Sequence, residues 1–98
     1  MIYQIILAPL AIADLEELQR WIAEAADSRT AMGYVARIKS KIIALDHFPN
    51  RGTPRDDLGL GIRTLSFERR IKIAYRVIDS MVRIERVVSN WRALDQIM

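Results

Sequence analysis

The segment GIRTLSFERRIKIAYRV, residues 61–77, concentrates the chain's reactive groups: Arg63, Arg69, Arg70, Lys72 and Arg76, with Tyr75 among them. Guanidinium groups and a phenol can stabilise charge developing at a phosphorus centre, so metal-free cleavage of RNA is within reach of these residue types. The same cations can instead pair with carboxylates of a protein partner. Other routes to catalysis are poorly served. There is no cysteine, and the one histidine, His47, stands at the end of a helical pattern, where partnering the helix dipole is its ordinary role. No G-x-S-x-G, P-loop or Rossmann glycine pattern occurs, GLG at 59–61 is too short to carry meaning, and Asp56 and Asp57 fall where a turn is expected. With no Cys/His cluster, neither a metal nor a cofactor is expected.

The elements that must position these groups follow from periodicity. Residues 2–7, IYQIIL, are β-branched and aromatic and read as a strand. Pro9 suits the first turn of a helix, where its missing N–H is no loss. Ala11, Leu15, Leu18, Ile22 and Ala25 then step by four and three, one face of an amphipathic helix. Ser28 is the expected cap of a second helix, whose stripe is Ala31, Val35, Ile38, Ile42 and Leu45. Trp21 and Tyr34 lie off these stripes and are assigned to packing. FPNRGTPRDDLGLG, residues 48–61, holds two Pro and three Gly and reads as a loop. Strands are expected at 62–67, 70–78 and 81–88, joined by the short links ER and DS. The fold class is α+β: β-α-α-β-β-β, a helical hairpin (about 10–47) packed on one face of a small, mainly antiparallel sheet, with a β-meander (about 62–88) and a tail (89–98).

With two-residue links, Phe67 faces Arg70 and Ile78 faces Met81. Strand alternation then places Arg63, Leu65, Phe67, Arg70, Lys72, Ala74, Arg76, Ile78, Met81, Arg83, Glu85 and Val87 on one face, and Ile62, Thr64, Ser66, Ile71, Ile73, Tyr75, Val77, Val82, Ile84 and Val88 on the face toward the helices. Five bases, one acid and several large apolar groups suit neither a plain core nor a plain solvated face. That mixture fits docking of a peptide that brings acids and apolar anchors; the other reading is a face covered by the C-terminal tail with its bases solvated. Arg86 falls on the helix side, so it must either snorkel at the rim or pair with a carboxylate of the hairpin.

Ninety-eight residues at 51% hydrophobic and 28% charged make one ordinary globular domain. The net charge of +3 is uneven: residues 1–48 carry −1 and residues 49–98 carry +4, so an acidic partner is drawn to the second half. No apolar run is long enough for a bilayer, and the start lacks a basic region before its apolar stretch, so a cytoplasmic protein is expected.

Taken in order, APLAIADLEELQRWIAEAADS, the second helix ending in LDHFPNRGTP, GIRTL, IAYRV and VRIERVV resemble the RelE/ParE toxin superfamily of bacterial toxin–antitoxin systems over nearly the whole chain. The hairpin is most similar to the ParE branch. That resemblance implies a cytoplasmic, non-enzymatic growth inhibitor that poisons DNA gyrase. It also implies neutralisation, within a hetero-oligomer, by a cognate ParD-like antitoxin whose acidic C-terminal segment orders on binding. Arg63, Leu65, Phe67, Arg70, Lys72, Arg76 and Arg83 are the candidate antitoxin contacts, and Trp91 and Arg92 the candidate target contacts. The alternative is the RelE-type activity, ribosome-dependent mRNA cleavage, with Arg63, Arg76 and Tyr75 as the groups that would serve it. Many relatives carry a His near the position of Ser89, and neither His nor Tyr follows Tyr75, which weighs against that branch.

Overall fold

The chain begins with a short strand, β1 (Gln4–Leu7), in a computed structural model that describes residues 2–89. Helices α1 (Pro9–Ala25) and α2 (Ser28–Ile43) follow, then a turn of 3-10 helix (Ala44–Asp46) and strands β2 (Thr53–Pro54), β3 (Arg63–Phe67), β4 (Ile71–Ile78) and β5 (Met81–Val88). The sheet order is β1-β5-β4-β3-β2. Among the described strands only β1 runs parallel to its neighbour, β5. The α+β architecture expected from the pattern is therefore present. It carries one addition, since Thr53 and Pro54 pair with Thr64 and Arg63 inside the stretch expected to be loop. No helix among the described residues is long and apolar enough to cross a membrane.

Pro9 takes the first turn of α1, as its fixed φ favours. Asp27, not Ser28, caps α2: its carboxylate accepts from the Thr30 N–H at 2.7 Å. That contact lowers the Asp27 pKa, because the bond is made to the charged form. The second stripe is buried throughout, at Ala31, Val35, Ile38, Ile42 and Leu45. Each Ile or Leu so placed contributes on the order of 2 kcal/mol. The first stripe is buried only at Ala11 and Leu15. Past Leu18 it runs off the core, leaving Ile22 half-buried and Ala25 exposed, and Trp21 is 65% exposed rather than packed.

Two irregularities decide which face each strand residue takes. The β3–β4 link is three residues, Glu68, Arg69 and Arg70, so Phe67 pairs with Ile71 and not with Arg70. Glu68 (φ 48°) and Arg69 (φ 63°) both adopt left-handed backbone. The extra residue swaps the faces of β3. Arg63, Leu65 and Phe67 turn toward the helices beside Tyr75, Ile73 and Ile71, while Thr64 and Ser66 turn away with Ala74 and Lys72.

The β4–β5 link is the expected Asp79-Ser80 pair, with Ile78 opposite Met81 and Arg76 opposite Arg83. A β-bulge then intervenes: Tyr75 pairs with Ile84 but Ala74 with Arg86, leaving Glu85 as the additional residue. Beyond it the phase is reversed. Val87 joins Ile73 in the main core, and Val88 joins a second cluster with Leu58, Ile62 and Ala74. The expected single face holding all the bases with Leu65, Phe67 and Val87 is thus corrected by one loop residue and one bulge.

Candidate docking cleft and cationic face

Where α1 runs past the sheet, a cleft of about 770 Å³ opens between α1, α2, the β3–β4 tip and the end of β5. Leu18, Trp21 and Ile22 form one wall, Tyr34 and Ile71 part of the floor, and Arg69 and Arg70 the opposite rim. Tyr34 is fixed edge-on against Phe67, with centroids 5.5 Å apart at 90°. The Arg37 guanidinium sits 5.2 Å from the Tyr34 ring centre and binds Glu68 of the tip at 3.1 Å. Burial raises the Tyr34 phenol above its ordinary pKa, and the nearby Glu68 carboxylate adds to the shift.

Asp14 closes the cleft at depth. It accepts two bonds from Arg86, from Nε at 2.8 Å and from Nη2 at 3.0 Å, and a third from the Val87 N–H at 2.9 Å. These bonds raise the Arg86 pKa, outweighing burial, which acts the other way. Of the two options for Arg86, pairing with a hairpin carboxylate is the one realised.

Arg63 and Tyr75 serve the neighbouring loop. Tyr75 is fully buried; its hydroxyl donates to the Pro49 carbonyl and accepts from the Gly52 N–H, both at 2.8 Å. Burial raises its pKa. Arg63 Nη1 donates to the Asn50 and Gly52 carbonyls at 3.0 and 2.8 Å. Gly52 is required here, since a Cβ at this position would lie 2.5 Å from the Tyr75 hydroxyl.

The opposite face of the sheet carries Lys72, Arg76 and Arg83. Glu85 lies between the two arginines, at 2.7 Å from Arg76 Nη1 and 3.0 Å from Arg83 Nε. Arg76 Nε also donates to the Leu60 carbonyl at 3.2 Å, and Lys72 donates to the Ser66 hydroxyl.

The seven residues expected to share one contact face are therefore divided three ways. Arg70 reaches the cleft rim, and Phe67 and Leu65 lie beneath the helices with Arg63 at the loop. Lys72, Arg76 and Arg83 occupy the other face. Trp91 and Arg92 lie outside the described residues. Sequence reasoning missed Leu18, Trp21, Ile22, Tyr34 and Arg69 as cleft residues. The available signal was a large aromatic, Trp21, adjacent to the apolar stripe but not on it. His47 pairs with Asp46 at 2.6 Å, and Asp56 and Asp57 take the turn roles expected, accepting from the Gly61 N–H and from Arg55. Among the described residues no group of three His, Cys, Asp or Glu is placed to hold a metal ion.

A helical hairpin laid on one face of a mixed five-stranded sheet, with an open cleft where the first helix overhangs, defines a small α+β domain with two separate candidate contact surfaces. The family model for the ParE toxin of type II toxin–antitoxin systems, parDE, matches residues 5–93, and the chain belongs to that family. Among solved structures, a chain described as the chromosomal ParDE TA system from P. aeruginosa is similar to it in fold. The TM-score is 0.80 at 24% identity, covering 90% of this chain and 96% of that one. No curated protein matches the chain.

Proposed function

We propose that this ParE-family chain arrests growth by acting on DNA gyrase, and that a cognate ParD-like antitoxin neutralises it by laying an acidic, amphipathic segment into the α1–α2–hairpin cleft. The observation that carries the antitoxin site is Trp21, 65% exposed on the wall of a cleft whose other rim is Arg69 and Arg70. An aromatic and two arginines are the residue types that dominate binding energy at interfaces. The partner's apolar side chains would meet Leu18, Trp21 and Tyr34, and its carboxylates the two arginines.

Gyrase is favoured over mRNA as the target because Tyr75 is buried with its hydroxyl engaged by two backbone groups, and Arg63 is engaged by two carbonyls. The buried Tyr75 hydroxyl is not available to a phosphorane, and Arg63 is partly committed to the loop. Purified chain incubated with gyrase and plasmid should accumulate cleaved DNA, and its induction in bacteria should give the DNA-damage response and filaments. Rapid mRNA cleavage without that response would overturn the target.

A further inference from the structure

We propose that the sheet face opposite the helices is a second docking surface, which takes an acidic, partly apolar surface of the protein whose inhibition arrests growth. The inference deepens the proposed function and rests on it for the identity of the cleft's occupant. Arg76 and Arg83 stand directly opposite each other on β4 and β5, and Ile78 and Met81 stand opposite each other two residues along on the same face. Two guanidiniums facing across a ladder repel; here Glu85 lies between them, and the bulge supplies it. One carboxylate between two cations leaves a positive charge in excess, and both guanidiniums are held in fixed orientation. Preorganisation of this kind lowers the cost of engaging a partner carboxylate.

The apolar component lies alongside. Leu60, whose carbonyl is bound by Arg76, is 85% exposed, and Ile78 is 39% exposed. Cations among exposed aliphatic groups match a protein surface of carboxylates and apolar side chains. A sugar–phosphate backbone offers no counterpart to Leu60 and Ile78.

This patch is remote from the cleft. The cleft meets β4 at Ile71 and the patch reaches Ile78, about 23 Å along the strand and on the other side of the sheet. A segment filling the cleft would need roughly seven more extended residues, and a path around the sheet edge, to reach it.

The test uses Leu60→Asp, Arg83→Glu and Trp21→Ala in the full chain. Leu60 and Arg83 are exposed, and Leu60's structural contact is made by its backbone. Each variant is checked for wild-type thermal unfolding, for affinity to a purified ParD-like antitoxin, and for growth arrest on induction without antitoxin. Leu60→Asp and Arg83→Glu should lose growth arrest, and weaken gyrase binding about tenfold or more, with antitoxin affinity unchanged. Trp21→Ala should weaken antitoxin affinity and still arrest growth. Arrest retained by both open-face variants overturns the proposal, as does a loss of antitoxin affinity in them. Arrest that needs the patch when purified gyrase is not bound leaves this surface standing and removes gyrase as its partner. If the wild type cleaves mRNA and the open-face variants do not, the face is an RNA surface and the partner class is wrong. Induction of the wild type without any arrest overturns both readings.

Discussion

Asp14 on α1 and Arg86 on β5, separated by 72 positions in the chain, form a two-pronged ion pair at 2.8 and 3.0 Å, with side chains only 13% and 16% exposed. The pair lies at the bulge and holds the overhanging helix to the sheet. Removing one partner of a buried pair leaves an uncompensated charge and costs about 3 kcal/mol or more. Asp14→Ala should therefore lower stability by about that amount in urea unfolding. Asp14→Leu with Arg86→Leu should cost clearly less than the sum of the two single changes, because neither charge is then stranded. Additive losses in the double-mutant cycle would show that the pair is not coupled.

Tyr75 and Gly52 are a matched close approach. Tyr75→Phe removes the shared hydroxyl and leaves the buried Pro49 carbonyl and Gly52 N–H without that partner, a loss of about 1–3 kcal/mol. Faster hydrogen exchange at the Gly52 amide is the specific readout. Gly52→Ala should be at least as damaging, since its methyl would meet the Tyr75 ring and hydroxyl. Unchanged exchange in Tyr75→Phe would mean that the loop is held chiefly by Arg63.

The Asp27 cap predicts a pH dependence. Its pKa lies below the ordinary 3.8, lowered by the Thr30 backbone and side-chain bonds. A depressed carboxylate contributes stability above its unfolded pKa and loses it as pH falls through the folded one. Asp27→Ala should unfold at lower temperature than wild type near neutral pH, with the gap closing in acid. Asp27→Asn, which keeps a capping oxygen, should remove most of that pH dependence from α2. A gap independent of pH would assign the effect to something other than the carboxylate.

Arg69, at φ 63°, occupies backbone space that costs a residue with a Cβ about 1 kcal/mol. Arg69→Gly should raise the urea midpoint by a corresponding amount. If Arg69 also meets the antitoxin, the same variant should bind it less tightly. A stabler protein with weaker binding separates the fold's requirement at this position from the partner's.

The four-and-three stripe of α2 and the Pro at the start of α1 made the helical hairpin legible, because both follow from helix geometry alone. The faces of the sheet were not legible. Glu68 and Arg69 turn a tight hairpin without the glycine or asparagine that marks such turns, and the residues before and after them differ by one from the expected register. The bulge at Glu85 and Arg86 likewise carries no glycine. Since side chains alternate with a period of two, one miscounted residue in each place was enough to misassign Leu65, Phe67, Val87 and Val88. The cleft was hidden for another reason: it exists because α1 leaves the core past Leu18 beside the β3–β4 tip, a tertiary relationship no local pattern encodes.

The parallel pairing of β1 with β5 bears on the timing of synthesis. Strand β1 sits at the sheet edge, and the strand that seats it, β5, begins only at Met81. At about 5–20 residues per second, the ribosome needs several seconds to pass from Leu7 to Met81. Until then β1 has no strand to pair with, and Asp14 has no Arg86. The β1 edge of the native sheet therefore closes only after β5 is made, so a partner present at the ribosome has that interval in which to arrive first.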